Sequence, residues 1–187
     1  MLTCGELSQA FDVYWNDIDL CRKCSAYWSL LHVTVCLPDI CAALQSNDGE
    51  TDGKRYIAWC EQYLPDQKLS GAERYRMRCK VLHQGRTSAD QPGRYDGFSF
   101  AQPSETGQTD HRRIEGKTFV LDVGMLSEEI RLAVRQWISH LEADPTSSES
   151  LNVERNLPTL VRVRRFLLPT PGAVEPTAPP TVINRSS

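Results

Sequence analysis

No stretch of this sequence joins an uninterrupted apolar run to the length that a bilayer demands. The longest run, near Leu30–Leu37, is broken by His32 and Thr34, whereas a spanning helix needs about 20 largely apolar residues. The start, MLTCGELSQAF, has no basic region followed by an apolar core, so no secretory leader is expected. Phosphate-cradling glycine loops of the GxGxxG and GxxxxGKS/T kinds are missing, which argues against a nucleotide-hydrolysing domain. No second CxxC accompanies Cys21–Cys24, and no internal repeat is visible. A surplus of positive charge is lacking too. The 21 Lys and Arg against 24 Asp and Glu leave a net charge of −3. That excludes a protein that coats nucleic acid non-specifically, but it allows a local basic groove.

What is present fits one domain inside the cell. A chain of 187 residues buries roughly 70% of its unfolded surface without needing a disulfide or metal. Apolar residues at 40% and charged residues at 24% are an ordinary globular balance. The seven cysteines are odd in number and sit mostly in helix-like apolar patterns. They read as reduced, buried small hydrophobes, and with no leader expected the location predicted is cytoplasmic, with no membrane partner.

The apolar periodicity predicts a mainly α protein: a bundle of four or five helices with a short β-hairpin insertion. Leu7, Phe11, Tyr14, Ile18 and Cys21 recur at spacings of four and three, the stripe of an amphipathic helix. Asp12, Asp17 and Asp19 fall on its wet side and read as a solvated face rather than a metal site. A second set, Trp28, Leu31 and Val35, widened by Tyr27, Leu30 and Val33, predicts a central buried helix, with Pro38 kinking it or opening a new one. A third helix is predicted over Lys54–Leu64. A fourth spans about Gly71–His83, opened by Ser70 with Glu73 three residues on in a capping-box pattern and stopped by Gly85. Phe98 and Phe100, and later Phe119, Leu121 and Val123, alternate with the period of a strand, so an antiparallel hairpin is the economical reading. Ser127 is expected to cap a last helix whose inward residues are Ile130, Val134, Trp137 and Leu141. In domain terms, residues 1–143 form the helical domain with the hairpin inserted at about 87–124. Residues 144–168 form an extension beginning with a linker at Asp144–Ser150, and residues 169–187, rich in Pro, Thr and Ser, a disordered tail.

The chemistry concentrates in RYRMRCKVLHQGR, Arg74 to Arg86. Arg74, Arg76, Arg78, Lys80 and Arg86 place five cations in thirteen residues, and His83 sits at the helix end. In a helix Arg74 and Arg78 are one turn apart on one face. Arginine offers a planar, bidentate grip on phosphate oxygens, and histidine can give or take a proton near neutral pH. RNA cleavage by its own 2′-hydroxyl needs a base, an acid and positive charge on the phosphate, and no metal or enzyme nucleophile. One chain supplies one such histidine; a two-fold dimer supplies two.

The spacing from Arg78 to His83, within YRMRCKVLHQG and after a helix carrying LPDICAAL, resembles the R-x4–6-H motif of the HEPN superfamily, helical proteins that include toxin and phage-defence ribonucleases. The resemblance covers roughly Leu7–Leu141 in helix order and is specific at Tyr75–Gly85. It implies a HEPN-like fold and a homodimer that cleaves RNA without a metal or other cofactor. Arg78 and His83 would be catalytic, Arg74, Arg76, Lys80 and Arg86 would bind substrate, and an antitoxin-like protein would be a partner. The family's arginine is usually followed by Asn, Asp or His; here Cys79 follows, and a thiol is a poor hydrogen-bond partner. The alternative is a non-catalytic HEPN-like module that binds RNA, a nucleotide or a partner protein through the same surface.

Other constellations have plainer readings. Cys21, Cys24, Cys36 and Cys41 mimic zinc spacing but lie in apolar helical periods. Cys79 and His83, one turn apart, lack a third partner for cysteine hydrolysis. His32 reads as a core or groove residue, His111 as a surface residue with no visible partner, and His140 as exposed. Trp15, Trp28, Trp59 and Trp137 occupy core-like positions.

Overall fold

The computed structural model describes residues 4–84, 93–103 and 110–160. Arg86, the Gly85 stop and the 169–187 tail lie outside the described residues. Six α-helices and a three-stranded sheet are found among them: α1 Cys4–Lys23, α2 Tyr27–Leu44, α3 Gly53–Tyr63, α4 Gly71–Gln84, β1 Gly97–Ala101, β2 Arg113–Glu115, β3 Thr118–Asp122, α5 Val123–Ala143 and α6 Ser148–Asn156, followed by a 3-10 turn at Leu157–Thr159. The protein is mainly helical with a small sheet, as the periodicity predicts.

α1 buries Leu7, Phe11 and Ile18, the predicted stripe. It ends where Ser25 takes a left-handed φ of 55°. There the Ala26 N–H donates to Cys21 O at 2.8 Å and the Ser25 N–H to Arg22 O at 3.2 Å, a Schellman closure with serine in the position that usually favours glycine. α2 then runs through Pro38 without a break, where a kink or new start was expected. Proline removes the amide that would bond the Thr34 carbonyl, a cost of about 3 kcal/mol in a helix interior. Nine buried side chains on this helix outweigh it, Leu30, Leu31, Val35, Leu37 and Cys41 among them. α2 is therefore longer than its apolar run. Among the described residues it is the one helix long and apolar enough to cross a membrane by length and composition, and half of it is buried inside the protein, against α1, α3 and α5.

Asp52 caps α3 by accepting the Arg55 N–H at 2.8 Å. Ser70 Oγ accepts the Glu73 N–H at 3.3 Å at the start of α4; the Glu73 carboxylate does not complete the box but accepts the Arg94 N–H at 2.7 Å. Gly71 is required at the α3–α4 crossing, because a Cβ there would stand 2.7 Å from Ile57 O.

The sheet order is β1-β3-β2. β1 pairs with β3 in parallel, Phe98 opposite Phe119, and β2 takes the antiparallel place on the other side. The antiparallel pairing expected for the Phe98 and Phe119 segments is thus corrected. The hairpin is β2–β3, turned at Gly116 with φ 60°, and β1 joins across β3. A central strand is covered on both faces, and Phe119, Val120 and Leu121 are all buried. The last main helix also starts earlier than expected. Asp122 caps it by accepting the Met125 N–H at 2.9 Å, and Val123 belongs to the helix. Ser127 is buried inside it, its hydroxyl donating to Gly124 O at 2.6 Å, the back-bonding of a helical serine. Ile130, Val134, Trp137 and Leu141 face inward as predicted. Asp144–Ser150, expected as a linker, contains the Ser147 cap and first turn of α6. α6 reaches back to the end of α2: Asn156 Nδ2 donates to Leu44 O at 3.0 Å and Ser46 O at 2.8 Å, and Asn152 Nδ2 to Gln45 O at 3.0 Å.

Candidate functional site

α4 carries the basic run, and its apolar stripe decides where each cation goes. Met77 and Val81 anchor the helix in the core. Arg74 and Lys80 lie on that same arc and are carried inward, 2% and 7% exposed. Arg74 has Asp66 at 3.9 Å, none of its guanidinium nitrogens makes a hydrogen bond, and its charge reaches the buried Tyr56 and Cys60. Burial, against the pull of Arg74, pushes the Cys60 thiol up to about 12. Arg76 lies over the Phe98 ring at 5.6 Å, pairs with Glu73 at 3.0 Å and donates to Tyr95 O, so it fastens the sheet to α4. Expected as phosphate-binding residues, Arg74, Arg76 and Lys80 are corrected to interior and inter-element positions. A helix with a buried stripe cannot leave all the cations of a thirteen-residue run on its wet face.

Arg78 and His83 are brought together. Arg78 Nη1 donates to His83 Nε2 at 3.0 Å, at the exposed end of α4. A guanidinium has donors only, so Nε2 is the acceptor and the ring proton is assigned to Nδ1. On its other edge Arg78 Nε donates to Asp39 Oδ2 at 2.5 Å. Burial disfavours charge on both partners. For Arg78 the attraction and hydrogen bond of Asp39 prevail and hold the guanidinium above its usual range. For Asp39 burial prevails over Arg78 and His83 and lifts the carboxyl above its usual range. Because arginine keeps its proton, we read the pair as ionised at neutral pH. Cys79 lies beside it, 3.9 Å from Arg78 Nη1. Its sulfur, hydrogen-bonded and close to Tyr75, raises the Tyr75 phenol. Burial likewise raises the Cys36 thiol, one turn before Asp39.

Asp39 is the member of this cluster that reading the sequence missed. Its signal was present: it is the only Asp, Glu, Lys or Arg in α2, and a charge in a buried helix requires a partner.

The remaining candidates separate. His111 is not the partnerless surface residue expected. The residue is half-buried, its side chain 5% exposed; Nε2 meets Glu129 Oε1 at 2.8 Å, and Nδ1 accepts the Asp122 N–H at 3.2 Å. Arg112 bonds Glu129 as well and bridges to Asp66. His140, exposed as expected, shares a hydrogen bond with the Tyr63 hydroxyl through Nδ1 at 2.7 Å. Trp59 and Trp137 are core residues, but Trp28 is 55% exposed. Among the described residues, no group of three or more His, Cys, Asp or Glu is arranged to hold a metal ion. No protein-family model, curated protein or solved structure matches this chain.

Proposed function

We propose that the protein is a HEPN-type endoribonuclease that acts without a metal, as a two-fold dimer, in the cytoplasm. The observation that carries this reading is the Asp39–Arg78–His83 chain, a fixed guanidinium hydrogen-bonded to an exposed imidazole. Positive charge and a proton carrier are what 2′-hydroxyl attack on a phosphodiester requires. As acid, His83 must be in its doubly protonated form, giving one ring proton to the leaving oxygen and returning to the neutral imidazole. It acts as base only once Nε2 is released. An incoming phosphate competes with Nε2 for Arg78 Nη1, so substrate binding itself frees the base. Asp39 holds the guanidinium by Nε while this exchange takes place. Two chains related by a dyad supply one histidine as base and the other as acid. A toxin or phage-defence role with an antitoxin-like partner follows from the same family likeness.

The test is incubation of RNA with the protein in EDTA. Cleavage is expected, and His83→Ala should reduce its rate about 10²–10⁴-fold. Cleavage that persists in His83→Ala sinks the mechanism. One observation favours a second reading, a non-catalytic module that binds RNA, a nucleotide or a partner protein. Arg78 is already neutralised by Asp39, Arg74 and Lys80 are buried, and Arg76 is held by Glu73 and the Tyr95 carbonyl. Binding without cleavage is the result that reading expects.

A further inference from the structure

The open side of α2 leads from Asp39 to a second feature. At 100° per residue, Trp28, His32, Cys36 and Asp39 share about a quarter of the helix circumference, and none of the four is buried. Trp28 opens this stripe. Its ring meets His32 edge-on, centroids 4.5 Å apart at 66°. His32 is itself fixed, since Nδ1 lies 2.8 Å from the Trp28 carbonyl. A carbonyl only accepts, so the proton is on Nδ1 and Nε2 is left as an acceptor. An exposed indole braced in this way loses little freedom when something stacks on it. Just before it, α1 ends in exposed Arg22 and Lys23; Arg22 pairs with Glu128, and Lys23 adds positive charge near the start of the stripe.

The chemistry of the stripe selects its occupant. A second copy packed dry on it would desolvate the His32 acceptor and the rim of the Asp39–Arg78 pair, both costly without new partners. A nucleic acid strand stays wet, brings phosphates to the cationic end and a π-face to the indole. Eleven residues of helix separate Trp28 from Asp39, about 16 Å. A strand covers that in about five nucleotides at a stacked rise of about 3.4 Å, and in fewer when extended.

We infer that Trp28, braced by His32, is a stacking platform for an unpaired base of the bound strand, a few nucleotides from the bond at Arg78 and His83. The substrate is therefore single-stranded RNA at that position, because bases held in a duplex offer no free face. This rests on the nucleic-acid reading of the Arg78 site.

The experiment uses the full chain carrying His83→Ala, in EDTA, with a short unstructured RNA and the same strand bearing one abasic site moved along it. Trp28→Ala should weaken binding about five- to a hundred-fold, and Trp28→Phe should retain most of the affinity while losing fluorescence quenching. The abasic site should cost as much at one position only, and should cost nothing further in Trp28→Ala. Unchanged affinity in Trp28→Ala, equally tight binding of the duplex, or a Trp28→Ala protein that changes its oligomeric state rather than its affinity overturns the platform. The two readings fail separately. Wild-type protein that binds and is quenched but does not cut removes the nuclease and keeps the platform. Cutting with KM unchanged in Trp28→Ala removes the platform and keeps the nuclease. No binding of any strand removes both.

Discussion

Asp39–Arg78–His83 and Asp66–Arg112–Glu129–His111 are built from the same kinds of side chain. In the first, one arginine lies between one carboxylate and one imidazole, and the imidazole is exposed with Nδ1 uncommitted by that bond. In the second, Arg112 bridges two carboxylates, and His111 is half-buried with both ring nitrogens engaged. The second cluster ties the loop before α4, the sheet and the start of α5 to one another. The first leaves a proton carrier facing solvent. Residue types do not separate a closed structural knot from an open cluster; the number of lone pairs and donors left open does.

The comparison is broken most severely at Asp66. This carboxylate stands between Arg112 and the buried Arg74. Asp66→Ala leaves Arg74 buried without a counter-charge and should cost about 3–5 kcal/mol of stability, read from urea unfolding. Asp39→Asn keeps an acceptor oxygen beside a partly exposed Arg78 and should cost less, about 1.5–3 kcal/mol by the same measurement; on the nuclease proposal it should also lower RNA cleavage at least about tenfold by loosening Arg78, a loss of about 1.4 kcal/mol of transition-state binding. Equal stability losses at the two aspartates would erase the distinction.

Acid sharpens it next. Burial raises the Glu129 carboxyl, but hydrogen bonds and charge from His111 and Arg112 outweigh burial and set it below its usual range. The unfolded chain therefore takes up this proton first as pH falls. The stability due to Glu129 is complete above the ordinary glutamate range and is lost as pH drops through its depressed folded value. Glu129→Gln should remove that part of the acid slope, seen in unfolding midpoints measured from neutral to acid pH. The smallest effect lies in the backbone. Arg112 holds a left-handed φ of 61°, and its side-chain bonds offset that strain. Arg112→Gly and Arg112→Ala both lose the bonds, but the glycine variant should be about 1 kcal/mol the more stable, a difference that thermal unfolding resolves.

Much of the fold was legible because burial writes a period into the sequence. The stripes of α1 and α5 and the Ser70 cap were read residue by residue. Strand direction was not, since Phe98–Phe100 and Phe119–Leu121 alternate identically whether paired parallel or antiparallel. Pro38 misled because local cost was weighed without the packing that overrides it. At the site, Arg78 and His83 were legible as a motif, five residues apart on one helix. Asp39 was not paired with them because the contact spans 39 residues, and the burial of Arg74 and Lys80 runs against what their charge leads one to expect.

The clasp of α6 on α2 also sets an order of assembly. Chains emerge from the ribosome N-terminus first, so α2 is made long before Asn152 and Asn156, whose amides satisfy the carbonyls at its end. Until they arrive, the Leu44 carbonyl that ends the central helix and the Gln45 and Ser46 carbonyls just past it lack these amides. The nascent protein is thus completed by a stitch from a segment more than a hundred residues downstream, and a chain cut short before Asn152 would carry its most apolar helix with a frayed end.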